Sequence, residues 1–317
     1  MVVDAADASG AHGTLPAKLP AYVRKSETSE ILVDDWRTDG PRSHVVTVRW
    51  PRAHPFYTLD GGATSPLLLT ESVRQALAVL SHTAHRIPLD HRLAWERTRS
   101  SVAAAAFRPG RAPMSVRVHI THTEVVRSRG GSVRLTAQVR ATGGDAYLGG
   151  VHIRYLTLPP RVYRRLRGRY ADAATAFARA LPPGPAAPAH QVGRARARDV
   201  VLSPAAAPHR WRLRADTTHR VLFDHPHDHL PGMVLLEAAA QAAQAEAGPG
   251  RVLPVAFDTV FDRYVELDRP CWIGVEPAAP DPRHRPRWKV CAVQDDRVVC
   301  STLVATEPLD GGARPDR

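Results

Sequence analysis

The chain is 317 residues long, enough for two domains of ordinary size, each with its own core. Its net charge of +12 comes from 43 basic against 31 acidic residues, yet no basic run alternates with aromatics, which argues against a nucleic-acid partner. No uncharged apolar run approaches the roughly 20 residues of a membrane-spanning helix, and no basic stretch leads into an apolar one as in a signal peptide.

In chain order, residues 1–28 are rich in Ala, Gly, Asp and Pro and are expected to form a mobile tail. A first domain is expected over 29–160. It opens with strands at 31–33 and 44–50, separated by Gly40-Pro41. Ser65 is a good N-cap with Pro66 at the first helical position, so a helix runs from there to about His85. Leucine and valine cover most of its circumference, which predicts burial on nearly every side. Three strand-like runs follow at 114–126, 133–139 and 146–158, joined by glycine turns. Val116, Val118 and Ile120 alternate with Arg117, His119 and Thr121, the period of an antiparallel strand with one buried face. A long apolar helix followed by such a meander is not a parallel α/β fold. The helix must lie across the sheet.

Residues 161–203 read as a helix over 161–181 and a Pro/Ala-rich linker. Arg161, Arg164, Arg165, Arg167 and Arg169, and then Arg194, Arg196 and Arg198, are expected to be solvated charge; the alternative is attraction of a phosphorylated substrate or an acidic protein. A second domain, 204–307, repeats the order: a strand at 211–223, a helix at 232–247, then strands at 255–267, 271–275, 288–293 and 298–306. Residues 308–317 read as a disordered tail. Cys271, Cys291 and Cys300 are odd in number and lack CxxC spacing, which points to buried thiols in a reducing cytoplasm.

The stretch Asp224-His225-Pro226-His227-Asp228-His229 leads into the second helix at Pro231-Gly232, and Glu237 follows one and a half turns in. Apolar surroundings raise a carboxylate's pKa until it can exchange a proton near neutrality. The same parts occur earlier. His54-Pro55 precedes the Pro66 helix, and PLLLTESVRQA aligns with GMVLLEAAAQA, so Glu71 and Gln75 match Glu237 and Gln241. The His-to-Glu spacing is 17 for His54 (71−54) and 12 for His225 (237−225). Self-similarity at this distance argues for duplication. Three alternating histidines could bind a metal. However, His-x-His-Asp-His is one residue short of the metallo-hydrolase pattern and the β/α repeat of that fold is missing, so neither metal nor cofactor is expected.

Pro231-Gly232, Glu237-Ala238 and Gln241 resemble the helix start of hotdog-fold hydroxyacyl dehydratases. Longer motifs resemble the A-factor biosynthesis (AfsA-type) tandem hotdog family: Arg198 to Pro204, Phe223-Asp224-His225-Pro226, Asp228 to Ala238, Arg263 to Asp268 with Pro270-Cys271-Trp272, and His54-Pro55-Phe56-Tyr57 with Leu67 to Gln75. The resemblance implies an α+β tandem hotdog and an acyltransferase without a cofactor. A β-ketoacyl chain would pass from acyl carrier protein to dihydroxyacetone phosphate, giving the precursor of a γ-butyrolactone signal. One departure is Ala240, which stands where the first helix has Arg74.

In related hotdog dimers one subunit supplies His and the other Glu. The resemblance therefore implies an intramolecular pseudo-dimer with His54 facing Glu237 and His225 facing Glu71. Those four are the expected catalytic residues, with Arg74, Gln75, Gln241, His229, Gly232 and Arg52 expected to bind substrate. A carrier-linked dehydratase or thioesterase is the alternative enzyme, and a non-catalytic acyl-binding or regulatory module the alternative of another class.

Overall fold

Period-two alternation puts Val116, Val118 and Ile120 on one face of their strand, and in the computed structural model, which describes residues 17–309, all three are buried. The chain runs α1 (Leu19–Val23), β1 (Val33–Thr38), β2 (Ser43–Arg49), α2 (Leu67–Thr83), β3 (Arg92–Val102), β4 (Ser115–Arg127), β5 (Val133–Gly143) and β6 (Ala146–Leu158). After α3 (Pro160–Arg167) and α4 (Ala173–Ala178) come β7 (Leu202–Pro204), β8 (Arg210–Leu213), α5 (Gly232–Ala247), β9 (Val252–Phe261), β10 (Trp272–Ala278), β11 (Arg287–Gln294) and β12 (Arg297–Pro308).

All twelve strands join one antiparallel sheet in the order β1-β2-β4-β5-β6-β3-β9-β12-β11-β10-β8-β7. Counted from its own first strand, each half has the order 1-2-4-5-6-3, and the halves meet where β3 pairs with β9, Thr98 opposite Thr259. The duplication is thus a pseudo-twofold, and α2 and α5 occupy the same place in each half. Every residue of α2 from Leu67 to His82 except Arg74 is buried, and α5 is buried from Met233 to Ala239. Each fully buried leucine of α2 contributes roughly 1.5–3 kcal/mol by leaving water.

Four expectations change. Residues 1–16 and 310–317 lie outside the described residues, but residues 17–28 are no tail: Leu19 and Val23 of α1 are core residues and Lys25 is buried. The helix expected over 161–181 breaks at Gly168, which takes φ +54°, into α3 and α4. The strand expected over 211–223 ends at Leu213, and the chain then turns through 214–231. Finally, β3 was missed because Arg92, Glu96, Arg97 and Arg99 read as surface. Of these, Glu96, Arg97 and Arg99 form an ion ladder on the sheet, Arg97 and Arg99 holding Asp258 at 3.1 and 2.9 Å while Arg134 and Arg154 hold Glu96 at 3.2 and 3.0 Å.

Candidate active site

The glutamate-to-glutamine step of four residues puts both side chains on one helix face. In α2, Gln75 donates to Glu71 at 2.9 Å and to the Glu30 carbonyl at 2.8 Å, and it accepts from the Leu32 N–H at 2.8 Å. In α5, Gln241 donates to Glu237 at 2.6 Å and to the Asp199 carbonyl at 2.9 Å, and it accepts from the Val201 N–H at 2.9 Å. The symmetry goes further. Lys25 Nζ lies 3.5 Å from Glu71 and donates to the Val221 carbonyl at 3.3 Å. Arg194 donates to Glu237 at 2.8 Å and to the Phe56 carbonyl at 2.5 Å. Each buried acid therefore meets a cation that also grips the backbone of the opposite half.

The same symmetry corrects the pairing of histidines. His54 Nε2 faces Glu30 at 3.4 Å and its Nδ1 accepts the Tyr57 N–H at 3.3 Å. Its counterpart is His219, whose Nε2 faces Asp199 at 3.2 Å and whose Nδ1 accepts the Leu222 N–H at 3.2 Å. The spacing to glutamate is then 17 (71−54) and 18 (237−219), in place of the unequal 17 and 12. The shared His-Pro dipeptide misled the comparison. Both histidines pin loops, and it is Arg194 that meets Glu237.

Where the halves differ, a cavity opens. Arg74, in place of Ala240, donates to Glu71 at 2.7 and 2.8 Å and to the Val23 carbonyl at 3.2 Å. Burial alone would push the Glu71 carboxyl up, but Arg74, Lys25 and Gln75 hold it down at about 2. The carboxyl stays ionised, contrary to the raised pKa expected in apolar surroundings. Beside it lies a cavity of about 980 Å³ lined by Lys25, Tyr57, Glu71 and Arg74 from the first half, and by His225, His227, His229 and the N-terminal turn of α5 from the second. Trp95, Met233, Leu235 and Phe261 supply apolar wall. On the Glu237 side the space is about 20 Å³, room for roughly one water. Arg194 has only 2 % of its surface exposed, its guanidinium packed between Glu237 and the Phe56 ring.

Two histidines in the cavity wall are backed by carboxylates. His225 Nδ1 donates to Asp224 at 2.7 Å and His229 Nδ1 to Asp228 at 2.9 Å. Asp224 also accepts from the Ser26 N–H at 2.8 Å. Burial would raise Asp224, but His225, Lys25 and that N–H hold it at about 2. Asp228 stays well below the carboxylate range despite burial, because His229, Tyr163 and Arg167 all favour its charge. Arg167 pairs with Glu266 at 2.6 and 2.7 Å and donates to the Asp228 carbonyl at 2.8 Å, and the Tyr163 hydroxyl donates to the Asp228 carboxylate. A carboxylate on Nδ1–H leaves Nε2 as the acceptor, the state a general base requires. His227 packs on His225 with ring centroids 4.2 Å apart, and burial and the neighbouring histidines lower it to about 3.

The cavity thus brings together Glu71, Arg74, His225, His229 and Gly232, with His225 and Glu71 contributed by opposite halves as expected. It does not include His54, Gln75, Gln241, Glu237 or the exposed Arg52. Arg74, expected to hold substrate, spends its guanidinium on Glu71 and Val23. Of the two arginine clusters expected to be solvated, Arg167 and Arg194 are buried in ion pairs. Lys25, Tyr57, Tyr163, Arg167 and Tyr264 were missed as wall residues. Only the two aspartates, each directly before a histidine, carried a readable signal.

The A-factor biosynthesis hotdog domain matches the chain twice, over residues 7–159 and 177–310. A 2-oxo-3-(phosphooxy)propyl 3-oxoalkanoate synthase from Streptomyces virginiae is 37% identical over 303 residues, covering 92% of this chain and 97% of the relative. A synthase of the same name from Streptomyces coelicolor is 34% identical, covering 86% of each chain. Among solved structures, one described as an oleoyl thioesterase from Lactobacillus plantarum superposes with a TM-score of 0.50 at 11% identity, covering 84% of this chain and 96% of its own, a likeness of fold.

Proposed function

The chain belongs to the A-factor biosynthesis hotdog-domain family, and from that premise we propose that it is an acyltransferase moving a β-ketoacyl chain from acyl carrier protein to a hydroxyl of dihydroxyacetone phosphate. The product is the phosphorylated ester from which a γ-butyrolactone signal is made. The observation that carries the reading is a large cavity where carboxylate-backed histidines of one half and the Glu71–Arg74 pair of the other share an apolar-walled space.

His225 Nε2 takes the proton of the attacking hydroxyl while its oxygen adds to the thioester carbonyl carbon. Asp224 fixes the ring and stabilises the imidazolium. The first turn of α5 presents its unpaired N–H groups and positive dipole end to the developing oxyanion. As the C–S bond breaks, the proton returns from His225 to the thiolate. Glu71 keeps Arg74 and Lys25 in place as a fixed charge array. Arg92 and Arg263 line the cavity and pair with no carboxylate among the described residues, so they hold the phosphate. Arg161, Arg164 and Arg165, exposed on α3 beside the buried Tyr163 and Arg167, attract the acidic carrier protein.

No helix among the described residues is long and apolar enough to cross a membrane, and the buried thiols Cys271 and Cys300, pushed up to about 12 by burial, suit a reducing cytoplasm. The two halves supply one another's site residues, so a single chain suffices.

The test mixes purified protein with a β-ketoacyl carrier-protein analogue and dihydroxyacetone phosphate and looks for the phosphate-bearing ester by mass spectrometry. His225→Gln lowers turnover by about 10²- to 10⁴-fold. Release of free acid with no ester would favour a thioesterase instead.

A further inference from the structure

The far end of α2 carries a second cluster of titratable groups that the transfer reaction does not use. His44 stands on β2 opposite Ile120 of β4, His122 lies two residues further along β4, and His85 follows the last turn of α2. One ring nitrogen from each lies within 4.8 Å of the others. Their ring centroids are 4.3, 5.6 and 6.1 Å apart, and the planes are inclined at 71–81°. His44 and His122 are buried, at 3% and 0% exposure. Four nitrogens in the cluster, both of His44, Nε2 of His85 and Nδ1 of His122, are buried with no hydrogen-bond partner among the described residues. Buried polar atoms nearly always have a partner, and four together point to a ligand.

We propose that His44, His85 and His122 form a site for one divalent transition-metal ion of the zinc type, held by three imidazoles with a fourth position left for water. The chemistry of the donors fits: neutral imidazole is a preferred ligand for zinc, and a three-histidine set is a known zinc arrangement. Burial lowers the pKa of all three rings from the ordinary value, and for His85 and His122 the neighbouring histidines add to the effect. A second feature orients one ligand. The Tyr155 hydroxyl lies 3.2 Å from Nε2 of His122 and 3.3 Å from the Ser81 hydroxyl. With the ring proton on Nε2 directed at Tyr155, the buried and unpartnered Nδ1 keeps its lone pair free to ligate, as in supported metal–histidine pairs. The fourteen residues from Glu71 to His85 span about 20 Å of helix, so the ion acts away from the transfer chemistry. It ties the end of α2 to β2 and β4.

The test uses the full-length protein, stripped with a chelator and titrated with zinc or cobalt(II) chloride. One equivalent binds, cobalt(II) gives the visible absorption of a nitrogen-ligated tetrahedral ion, and zinc raises Tm by several degrees, since a ligand of the native state stabilises it. His85→Gln, at the least buried ligand, abolishes all three effects with an unchanged circular dichroism spectrum. Tyr155→Phe weakens zinc binding about 10- to 100-fold. His225→Gln, in the separate Asp224–His225–His227 group, leaves them intact. Absence of both the cobalt spectrum and the zinc-dependent Tm shift in the unmodified protein overturns the proposal. So does a metal lost in His225→Gln but retained in His85→Gln.

Discussion

Glu71 and Glu237 occupy equivalent places in the two helices and have the same glutamine four residues on, yet they do different work. Glu237 is sealed against Arg194 with 1% of its surface exposed. Glu237→Gln leaves that guanidinium buried and uncompensated, and is expected to cost about 3–5 kcal/mol in urea unfolding. Replacing both partners together, Glu237→Leu with Arg194→Met, is expected to cost less than either single change, as a double-mutant cycle would register. Acid acts through other residues. His227 is held near 3 against an ordinary 6.5, so the unfolded chain takes up that proton first as pH falls. The stability that His227 contributes is complete above about 6.5 and is lost from there down towards 3. Glu71, at about 2 against 4.5, adds a contribution lost only below about 4.5. Thermal melts between pH 7.5 and 5 are therefore expected to show a falling Tm, with a shallower fall in His227→Gln. His225, His229, Asp224 and Arg74 are the charged and titratable groups that act on His227.

Elements were legible where the core imposes a pattern on them. β4, β5 and β6 announce themselves by alternation, because a strand that buries one face sorts its residues that way. α2 and α5 show as long apolar runs because they are buried on nearly every side. β3 did not, since its part-exposed charges, which reach partners on neighbouring strands as well as solvent, break the alternation. Its pairing with β6 is also unusually close. A Cβ at Gly149 would come within 2.6 Å of the Ser101 carbonyl oxygen and 2.9 Å of Leu69 on α2. Both the strand and the helix beneath it would have to shift. Gly149→Ala is accordingly expected to destabilise the fold by about 1–3 kcal/mol, measured by chemical denaturation, although alanine is no worse than glycine in a strand.

At the scale of the whole molecule the two halves are not independent. One sheet runs through both by way of β3 and β9, Arg97 and Arg99 bind Asp258 across that seam, and Lys25 and Arg194 each grip the opposite half. Unfolding is expected to be one cooperative transition, with tryptophan fluorescence and far-ultraviolet circular dichroism giving the same midpoint; two separated midpoints would mean the halves melt alone. The sequence by itself determined the duplicated helix with its Glu and Gln, the antiparallel strands, and the acid–histidine stretch ahead of α5. Each of these depends only on residues a few positions apart. Which of the two glutamates faces a cavity was decided by tertiary structure alone. The partners that matter, Lys25 and Arg194, lie 46 (71−25) and 43 (237−194) residues from the acids they meet. Lys25 against Arg194 and Arg74 against Ala240 differ at equivalent positions, and which set closes over its acid depends on how the two halves pack together, which no local pattern records.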